Sequence, residues 1–272
     1  EESSTAAADT GMASGSYSET NVRQEGVDEG DTAKTDGTYL YVLKDKSDQI
    51  AIIDTRDNRM KQTATITVED VSEIQEMYLD IERNQLIAVC DGYVGGKWND
   101  DDYGYGQRAN TTAVTYDISD RENPKEVGRV SQSGYYNSSR IADGYLYLFS
   151  DYYVTLDGIT AKNPKSYIPL VNDNLIKETD ICLPSISKAD MYSIITSVSL
   201  ENPNETAHSK ALLADGGNLY VSNDNIYFYE NVWQYSGKDV TTIRKVSYES
   251  GKLTAGAQCK IDGYINDSFS ID

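Results

Sequence analysis

From Thr20 onward, hydrophobic and polar residues alternate in short runs, a period typical of β-strands. The runs are rich in Tyr, Val, Ile and Leu, and turn residues such as Asp-Gly, Asn-Gln, Ser-Asp and Glu-Asn separate them. No stretch keeps apolar residues at positions i, i+3, i+4 and i+7 over the length of an ordinary helix. The pattern therefore predicts an all-β chain.

One strand pattern recurs along the chain. A turn of Asp-Gly type followed by alternating Leu, Tyr and Val occurs at residues 36–42, 143–148 and 215–221, and a degenerate copy lies at residues 84–89. Because an Asp-Gly turn reverses the chain, each copy is expected to pair beside the strand that precedes it. The recurrence indicates four related structural units.

Each copy is followed by a second strand-like run, which leads through a polar turn into another strand. These second runs lie at residues 50–55, 113–119, 194–200 and 241–248. Each unit is thus predicted to be a meander of three or four antiparallel strands. Such a meander cannot bury both of its faces alone, so neighbouring meanders are expected to stack.

Radial stacking of meanders gives a β-propeller, the fold class that we predict here. The spacing of the four copies is close to or above the roughly 40 to 50 residues of common propeller blades. Residues 91–110 and 151–189 are interpreted as insertions that account for the excess. A β-sandwich would explain the strands equally well, but it gives no reason for a fourfold recurrence.

Residues 265–272 alternate like the innermost strand of a further blade. We therefore predict about four antiparallel meander blades plus the start of a fifth, within a propeller domain at residues 20–272 that is part of a larger propeller. An open arc leaves exposed strand edges. The N-terminal segment, a second copy of the chain by self-association, or a missing half would cover them.

Residues 1–19 differ from the rest of the chain. Thirteen of these nineteen residues are Ser, Ala, Gly or Thr, and Tyr17 is the one aromatic residue. The segment cannot bury enough apolar surface to offset its ordering entropy, so it is predicted to be a flexible linker. The chain begins with Glu1 and lacks a signal-peptide core, which we interpret as the removal of a leader and hence as export.

The formal charge excludes some classes of partner. With 24 basic and 44 acidic residues the net charge is −20, and such a chain repels phosphate backbones and anionic lipid. We expect no nucleic-acid partner. The longest apolar runs, at residues 39–43 and 145–149, are far shorter than the roughly 20 residues of a spanning helix, so we expect no membrane insertion by this segment.

Histidine and cysteine restrict the chemistry further. His208 is the single histidine, and one imidazole cannot supply the clusters that zinc or non-haem iron sites generally use. The three cysteines, Cys90, Cys182 and Cys259, show no C-x-x-C spacing. They allow at most one bridge within the chain, and the favoured interpretation is that they are small buried hydrophobic residues.

Four motifs resemble a known family. Thr20-Asn21-Val22-Arg23-Gln24-Glu25-Gly26-Val27-Asp28-Glu29-Gly30-Asp31-Thr32-Ala33-Lys34-Thr35-Asp36-Gly37 is similar to the opening signature of the bacterial and archaeal secreted β-propeller domain family distantly related to WD repeats. Tyr116-Asp117-Ile118-Ser119-Asp120-Arg121-Glu122-Asn123-Pro124 resembles its second hallmark. Ser138-Ser139-Arg140 and residues 266–272 are similar to two shorter motifs, which extend the match over roughly residues 18 to 272.

The resemblance implies a secreted or surface-anchored propeller without an established biochemical activity, and it supplies no catalytic residues. It also implies that members continue well beyond Asp272. Gly30 and Thr32 depart from the Ala and the aliphatic residue expected after the Asp-Glu pair, and Asp267 stands where an amide is commoner. We expect these departures to affect local packing and not the fold.

The insertion at residues 91–110 is the candidate ligand-binding loop. It is rich in glycine and carries Trp98, Tyr103 and Tyr105, rigid apolar faces with polar tips that suit sugar or protein surfaces. The alternative is a solvated loop with incidental aromatic residues. Asp100 and Asp102 supply oxygen ligands for calcium, but the twelve-residue loop pattern ending in Glu is absent, so we expect no cofactor other than this weak calcium candidate.

Two further groups invite a functional reading. The acidic cluster of Asp28, Glu29 and Asp31 would cap a turn, bind a cation or pair with Lys34 and Arg23, and a structural role in docking the first strand is favoured. His208 is followed by Ser209, but no Gly-x-Ser-x-Gly elbow accompanies the pair, so nucleophilic catalysis is not predicted.

These inferences favour an exported or cell-surface β-propeller that acts as a binding module for a protein or glycan partner. One alternative is a hydrolase-type enzyme that uses carboxylates in the central cleft. Two close buried carboxylates with pKa values driven apart would identify it. Another alternative is a purely structural part of a larger propeller. A propeller fold alone does not decide among these functions.

Overall fold

The computed structural model describes residues 26–45, 47–57, 60–93, 109–154, 162–183, 189–214, 218–232 and 239–266. Most of these residues form β-strands, and two short 3₁₀ helices, η1 (Pro164–Ser166) and η2 (Glu178–Asp180), complete the regular structure. Within the described part of the chain, no helix has the length and apolar character of a membrane span. The architecture is all-β, as the alternating pattern predicts.

Four antiparallel meanders, here called blades 1 to 4, form the framework. Blade 1 consists of β2 (Ala33–Thr35), β3 (Tyr39–Leu43), β4 (Gln49–Asp54) and β5 (Lys61–Thr67). Blade 2 consists of β6 (Glu73–Asp80), β7 (Gln85–Tyr93), β8 (Ala109–Asp117) and β9 (Lys125–Ser133). Blade 3 consists of β10 (Tyr135–Ala142), β11 (Tyr145–Tyr153), β15 (Met191–Ser199) and β16 (Thr206–Ala214). Blade 4 consists of β17 (Asn218–Val221), β18 (Asn225–Val232), β19 (Val240–Glu249) and β20 (Lys252–Asp262).

Four short strands extend these sheets. β1 (Val27–Asp28) pairs with the first strand of blade 3, and β12 (Leu170–Val171) with β13 (Asn174–Leu175) extends blade 2 beyond β9. β14 (Ile181–Cys182) lies parallel to β16 at the outer edge of blade 3. The last three strands belong to the predicted insertion at residues 151–189, which therefore covers the outer edges of two blades.

Successive blades bury their faces against each other. One hydrophobic cluster joins blades 1 and 2, a second joins blades 2 and 3, and a third joins blades 3 and 4. The largest fully buried side chains include Tyr41, Tyr78, Tyr147 and Phe149. Burying a side chain of this size stabilises the fold by about 1.5 to 3 kcal/mol, so the predicted stacking of meanders accounts for the core.

The fourth copy of the sequence repeat forms a different strand of its blade from the other three copies. The turns at Asp36-Gly37, Asn84 and Asp143-Gly144 join the first strand of a blade to its second strand, whereas residues 218–221 of the fourth copy form the first strand, β17. The equivalent turn in blade 4 directly precedes β18. Both strands carry the same alternation of Leu, Tyr and Val after turn residues, so periodicity alone does not distinguish them.

The turns between first and second strands lie at one end of the blades, and the second strands end at the other. Asp143 and Gly144 adopt φ values of +51° and +76°, as expected for the tight hairpin turn that the Asp-Gly pair predicts. The turn between β19 and β20 repeats this geometry at Ser250 and Gly251, with φ of +46° and +76°.

Candidate functional site

The segment that leads into blade 1, residues 26–35, crosses the inner edges of three blades. Val27 and Asp28 pair with Ala142 and Ile141 of β10 in blade 3. The backbone N–H of Asp31 then donates to the Met77 carbonyl of blade 2 at 3.1 Å, and the Met77 N–H donates back at 3.0 Å. This leading segment ends in β2, so these backbone pairings dock the first strand of blade 1 against blades 2 and 3.

Charged side chains connect the leading segment within itself and to blade 3. Lys34 donates to the carbonyl oxygen of Glu29 at 2.9 Å and lies 3.6 Å from Asp28 Oδ1. Arg140, from blade 3, reaches Glu29 Oε1 at 3.1 Å. The opening motif and the Ser138-Ser139-Arg140 motif, distant in sequence, therefore meet at one ion pair.

A polar cluster, partly buried between blades 2 and 3, lies next to this crossing. Tyr78 donates to Glu76 Oε1 at 3.1 Å and lies 2.9 Å from Ser139 Oγ, and the Ser139 hydroxyl also donates to Glu76. Burial and the neighbouring Glu76 carboxylate raise the pKa values of Tyr78 and Tyr136. Both phenols therefore stay protonated and uncharged beside the Glu76 carboxylate.

Gly30 is required by the same cluster. A Cβ atom at this position would lie 2.3 Å from the Glu76 carboxyl carbon, so the alanine that the family resemblance leads one to expect would displace the Glu76 side chain. This departure from the motif has a packing reason. Glu76 and Tyr78 carry no sequence motif, and the one signal for them is the Glu-x-Tyr alternation that places both side chains on the same face of a partly buried strand.

A cleft of about 670 Å³ opens beside the leading segment, at the end of blades 1 to 3 that carries the turns between first and second strands. Its larger apolar lining residues are Val27, Leu40, Leu79, Ile81, Ile141 and Leu200. Its charged lining comes from Asp28, Asp31, Lys34, Asp80, Glu82, Arg83 and Asp143. An apolar floor with a polar rim is typical of ligand sites.

Most charges of the cleft are engaged in structural contacts. Arg83 binds Asp80 Oδ2 at 2.9 Å, Asp31 accepts the Thr32 N–H at 2.7 Å, and Asp143 accepts the Ser250 N–H of blade 4 at 2.7 Å. Burial raises the pKa of Asp28, and the Lys34 ammonium offsets part of that increase. The arrangement suits binding, because each of these carboxylates already has a backbone or cationic partner.

The second sequence motif closes the junction between blades 1 and 2. Arg121 bonds Asp36 Oδ2 at 3.1 Å, the Tyr41 hydroxyl at 3.2 Å and Asn84 Oδ1 at 2.9 Å. Burial opposes ionisation of Asp36, but hydrogen bonds from the Tyr39 and Thr38 backbone, Arg121 and Tyr41 outweigh it and lower the pKa of Asp36. This motif is structural.

The predicted loop at residues 91–110 is shorter at both ends, because residues 91–93 and 109–110 belong to β7 and β8. Trp98, Tyr103 and Tyr105 lie outside the described residues and stay predictions, as does the calcium candidate at Asp100 and Asp102. The strands that flank the loop end at Tyr93 and begin at Ala109, at the end of blade 2 opposite the cleft. Among the residues that the structure does describe, no group of three His, Cys, Asp or Glu side chains forms a candidate metal site.

His208 is fully engaged in a structural contact. Its Nε2 atom lies 3.1 Å from Asp180 Oδ1, and its Nδ1 atom accepts the Leu253 N–H of blade 4 at 2.9 Å. Ser209 instead contacts Thr196, at 3.1 Å. Both ring nitrogens are occupied and the neighbouring serine lies elsewhere, so the pair is not a nucleophile and base.

The cysteines are free thiols in different surroundings. Cys90 is buried, Cys182 is partly buried and Cys259 is exposed. The interpretation as buried small hydrophobic residues holds for Cys90 and is wrong for Cys259, because β20 is the outermost strand of blade 4 and exposes almost all of its residues.

Comparisons with known proteins agree with this architecture. A family model described as "Beta propeller domain" matches residues 17–272. An uncharacterized protein of Methanocaldococcus jannaschii is 25% identical over 224 residues, which are 79% of this chain and 29% of that protein. The chain thus spans less than a third of the length of this relative.

Two solved structures are also similar. The WD40 domain of Toxoplasma gondii coronin is 8% identical and matches 83% of this chain and 44% of its own, with a TM-score of 0.39. A functionally unknown protein of Desulfotomaculum acetoxidans is 10% identical and matches 88% of this chain and 71% of its own, with a TM-score of 0.30.

Proposed function

Because this chain belongs to the beta propeller domain family, we propose that it is a recognition module that binds a protein or glycan partner at the central cleft. The observation that carries the proposal is the cleft itself, about 670 Å³ in volume, where the leading segment and the inner edges of blades 1 to 3 combine an apolar floor with charged walls. Rigid strands and ion pairs hold these walls, so a partner would meet a preformed surface.

Glu82 offers a direct test of the cleft. It is exposed and lines the cleft, so Glu82→Arg reverses a charge at the rim with little effect on folding. Glu178→Arg is the matched control, since Glu178 is also exposed but lies in η2 on the outer rim. Partners captured from glycan and surface-protein arrays by the unmodified chain should bind Glu82→Arg more weakly and Glu178→Arg equally well.

Equal binding by both variants would contradict the cleft as the site. The same arrays, run with and without calcium, test the aromatic loop through Trp98→Ala, Tyr103→Ala and Tyr105→Ala. Loss of binding in these three variants, with binding retained by Glu82→Arg, would assign the binding site to the aromatic residues and not to the cleft. A module that binds no partner on any array would favour the purely structural alternative.

No specific observation on the described residues favours the hydrolase alternative. Two carboxylates outside the cleft have pKa values raised by burial, Asp91 and Asp151 at equivalent ends of β7 and β11. Asp91 accepts the Tyr136 N–H at 2.8 Å and Asp151 accepts the Asn137 amide at 2.6 Å. Each serves as a hydrogen-bond acceptor for the neighbouring first strand.

We extend the proposal to location, and place the module outside a prokaryotic cell, secreted or anchored at the surface. The support is the composition of residues 1–19, which is that of a linker, together with the motif resemblance. Fractionation of the native host with an antibody against the propeller checks this. Protein confined to the cytoplasm would contradict it.

A further inference from the structure

A second groove lies beside the central cleft, between blades 2 and 3, and is called the outer groove here. It is lined by residues 83–85, 117, 119, 127 and 201–205, and its volume of about 660 Å³ is close to that of the cleft. Arg83 lines both cavities, and Leu200 of the cleft is followed in the chain by Glu201 of the outer groove. The outer groove therefore adjoins the cleft and extends it toward the outer strand β9.

Close packing holds the wall of the outer groove that blade 3 contributes. The turn between β15 and β16 lies against β9, where a Cβ atom at Gly128 would be 2.5 Å from the Pro203 Cβ atom. The Asn204 amide donates to the Val127 carbonyl at 2.7 Å, and its side-chain oxygen accepts the Arg129 N–H at 3.3 Å. These contacts fix the wall, so a ligand would meet a preformed groove.

Acidic side chains set the charge of the outer groove. Its acidic lining residues are Asp117, Glu201 and Glu205. Hydrogen bonds from Ser119 hold the pKa of Asp117 below its usual range, so this carboxyl group is ionised at neutral pH. Neither the Glu201 nor the Glu205 carboxylate has a hydrogen-bond or ion-pair partner in the described part of the chain. Arg83, the one basic residue among the described lining residues, already belongs to an ion pair of the cleft.

One uncharged acceptor of the outer groove is also unsatisfied. The Gln85 side-chain oxygen is buried and has no hydrogen-bond partner among the described residues. A buried acceptor without a donor is unfavourable, so a donor that reaches it from the groove would stabilise the bound state. Together with the three carboxylates, this oxygen makes the groove a site for a positively charged ligand that donates hydrogen bonds.

The outer groove also has an apolar side. Val127 lines it and is 37% exposed, and Pro203 lies against the neighbouring Gly128. Lys and Arg side chains carry an apolar stem and a charged tip that donates hydrogen bonds. The stem would pack on Val127 and Pro203 while the tip meets the carboxylates, a combination that no other side chain offers.

The linings of the two cavities also distinguish between partners. Among the described residues that line the cleft and the outer groove, none is Trp, Tyr or Phe. Rigid rings with polar tips are the side chains that suit sugar surfaces, so their absence from these linings favours a polypeptide over a glycan. The net charge of −20 favours a basic partner, because it attracts positive charge.

From the fixed wall, the carboxylates and the apolar side of the outer groove, we propose that it binds a Lys or Arg side chain of a protein partner whose adjoining residues occupy the cleft. The inference rests on the proposed function, and it specifies the partner as a basic polypeptide segment and not a glycan. Arg83 marks the point where this segment passes from one cavity to the other. Because opposite charges attract the segment, its affinity should fall as salt is raised.

An array of short synthetic peptides of varied sequence is the probe for this site. The peptides that the unmodified chain binds should contain Lys or Arg. Glu201→Gln with Glu205→Gln removes two carboxylates and keeps the side-chain shape, and it should weaken the binding of these peptides about three- to thirtyfold. Asp173→Asn with Glu178→Gln is the matched control, because it changes the net charge equally at exposed positions outside both cavities. The control should bind the peptides as the unmodified chain does.

A charge swap identifies the contact itself. Each basic residue of a bound peptide is replaced by Glu in turn, and the replacement at the residue that fills the outer groove should weaken binding to the unmodified chain. Glu201→Lys with Glu205→Lys should restore the binding of that peptide and not of the others, with thermal unfolding showing that the variant is folded. The proposal is overturned if no replaced peptide regains binding, or if Glu201→Gln with Glu205→Gln binds the original peptides like the unmodified chain.

Glu82→Arg separates this inference from the proposed function. Peptides that bind Glu82→Arg weakly but bind Glu201→Gln with Glu205→Gln normally would place the partner in the cleft and overturn the outer groove alone. If the unmodified chain binds no peptide, the Lys or Arg site is wrong, and glycans whose binding Glu82→Arg weakens would still support the cleft. Normal peptide binding by both variants would overturn the cleft and the outer groove together.

Discussion

At the scale of single residues, Arg121 connects blade 2 to blade 1 through one guanidinium group. It contacts the Asp36 carboxylate, the Tyr41 hydroxyl and the Asn84 amide oxygen, while Tyr41 itself donates to Asp36 at 3.1 Å. The side chains of Arg121 and Asp36 are 17% and 7% exposed. Removal of the guanidinium would leave Asp36 buried without its cation.

The first prediction concerns the pH dependence of this ion pair. The pKa of Asp36 is lowered in the folded chain, so its contribution to the free energy of unfolding is present above the unfolded pKa of about 3.9 and is lost as pH falls through the folded pKa. Asp36→Asn should reduce stability by about 1 to 3 kcal/mol at pH 7. The difference in free energy of unfolding between the unmodified chain and Asp36→Asn should become smaller below about pH 4.

Urea denaturation at pH 7 and at pH 3 measures this gap. Arg121→Lys serves as a companion, because lysine keeps the charge but cannot make the three contacts of the planar guanidinium. Its stability should fall between those of the unmodified chain and Arg121→Ala. A gap between the unmodified chain and Asp36→Asn that is constant from pH 7 to pH 3 would show that Asp36 does not act as an ion.

The second prediction concerns Gly30. Gly30→Ala places a Cβ against the Glu76 side chain and should destabilise the chain by about 1 to 3 kcal/mol through overpacking. In the double variant Gly30→Ala with Glu76→Ala, the Glu76 side chain no longer obstructs the new Cβ. The losses of stability of the two single variants should therefore sum to more than the loss of the double variant. Thermal unfolding of the four chains measures this coupling. If the stability losses of the two single variants add up to that of the double variant, residues 30 and 76 do not interact, which would contradict this account.

Residue-scale features were predictable where a motif marked them. The docking role of Asp28 and Glu29 followed from their place before the first blade, and the structure confirms it. Glu76 and Tyr78 carry no motif, and their importance arises because the leading segment folds back over them from another part of the chain. Such contacts depend on tertiary topology, which local residue patterns do not encode.

At the scale of elements, strand alternation and turn residues predicted the meanders well. The second runs at residues 50–55, 113–119, 194–200 and 241–248 all lie within or overlap third strands. The fourth repeat forms β17, one strand earlier than the equivalent of the other copies, because β17 and β18 share the alternation of hydrophobic and polar residues. Strand pairing resolves the ambiguity, because β17 pairs with β18 at the start of blade 4 as β2, β6 and β10 pair with the second strands of their own blades.

The third prediction tests a turn that joins two elements. Asp143, in the turn between β10 and β11, accepts the Ser250 N–H from the turn between β19 and β20. Asp143→Asn keeps an acceptor and tolerates the positive φ of this position, so it should cost little. Asp143→Ala loses the acceptor and strains the backbone, and should lower stability by about 1 to 2 kcal/mol.

Chemical denaturation of both variants checks this prediction, with Glu249→Ala as a control. Glu249 is exposed at the end of β19, beside the same turn. Equal stability of the Asp143→Ala and Asp143→Asn chains would show that the Ser250 contact and the turn geometry contribute nothing to the junction between blades 3 and 4.

At the scale of the whole molecule, the recurrence of four units predicted stacked blades, and the structure and family confirm a propeller. The central cleft was not predictable to the same degree. Its walls combine residues from the leading segment, β6 and β10, and the sequence gives no sign that the leading segment pairs with blade 3 before it enters blade 1. The aromatic loop, which the sequence does mark, lies outside the described residues, and the strand ends on either side of it, Tyr93 and Ala109, lie at the opposite end of blade 2.

The pairing of the leading segment with blade 3 creates the cleft, and a cross-link tests it most directly. Val27 lies opposite Ala142 in the antiparallel pair of β1 and β10. Val27→Cys with Ala142→Cys, in a chain whose own cysteines are replaced by serine, should form a disulfide under mild oxidation, detected by peptide mass spectrometry. The out-of-register pair Val27→Cys with Ser138→Cys should not. Equal cross-linking of both pairs, or of neither, would contradict the cleft described here.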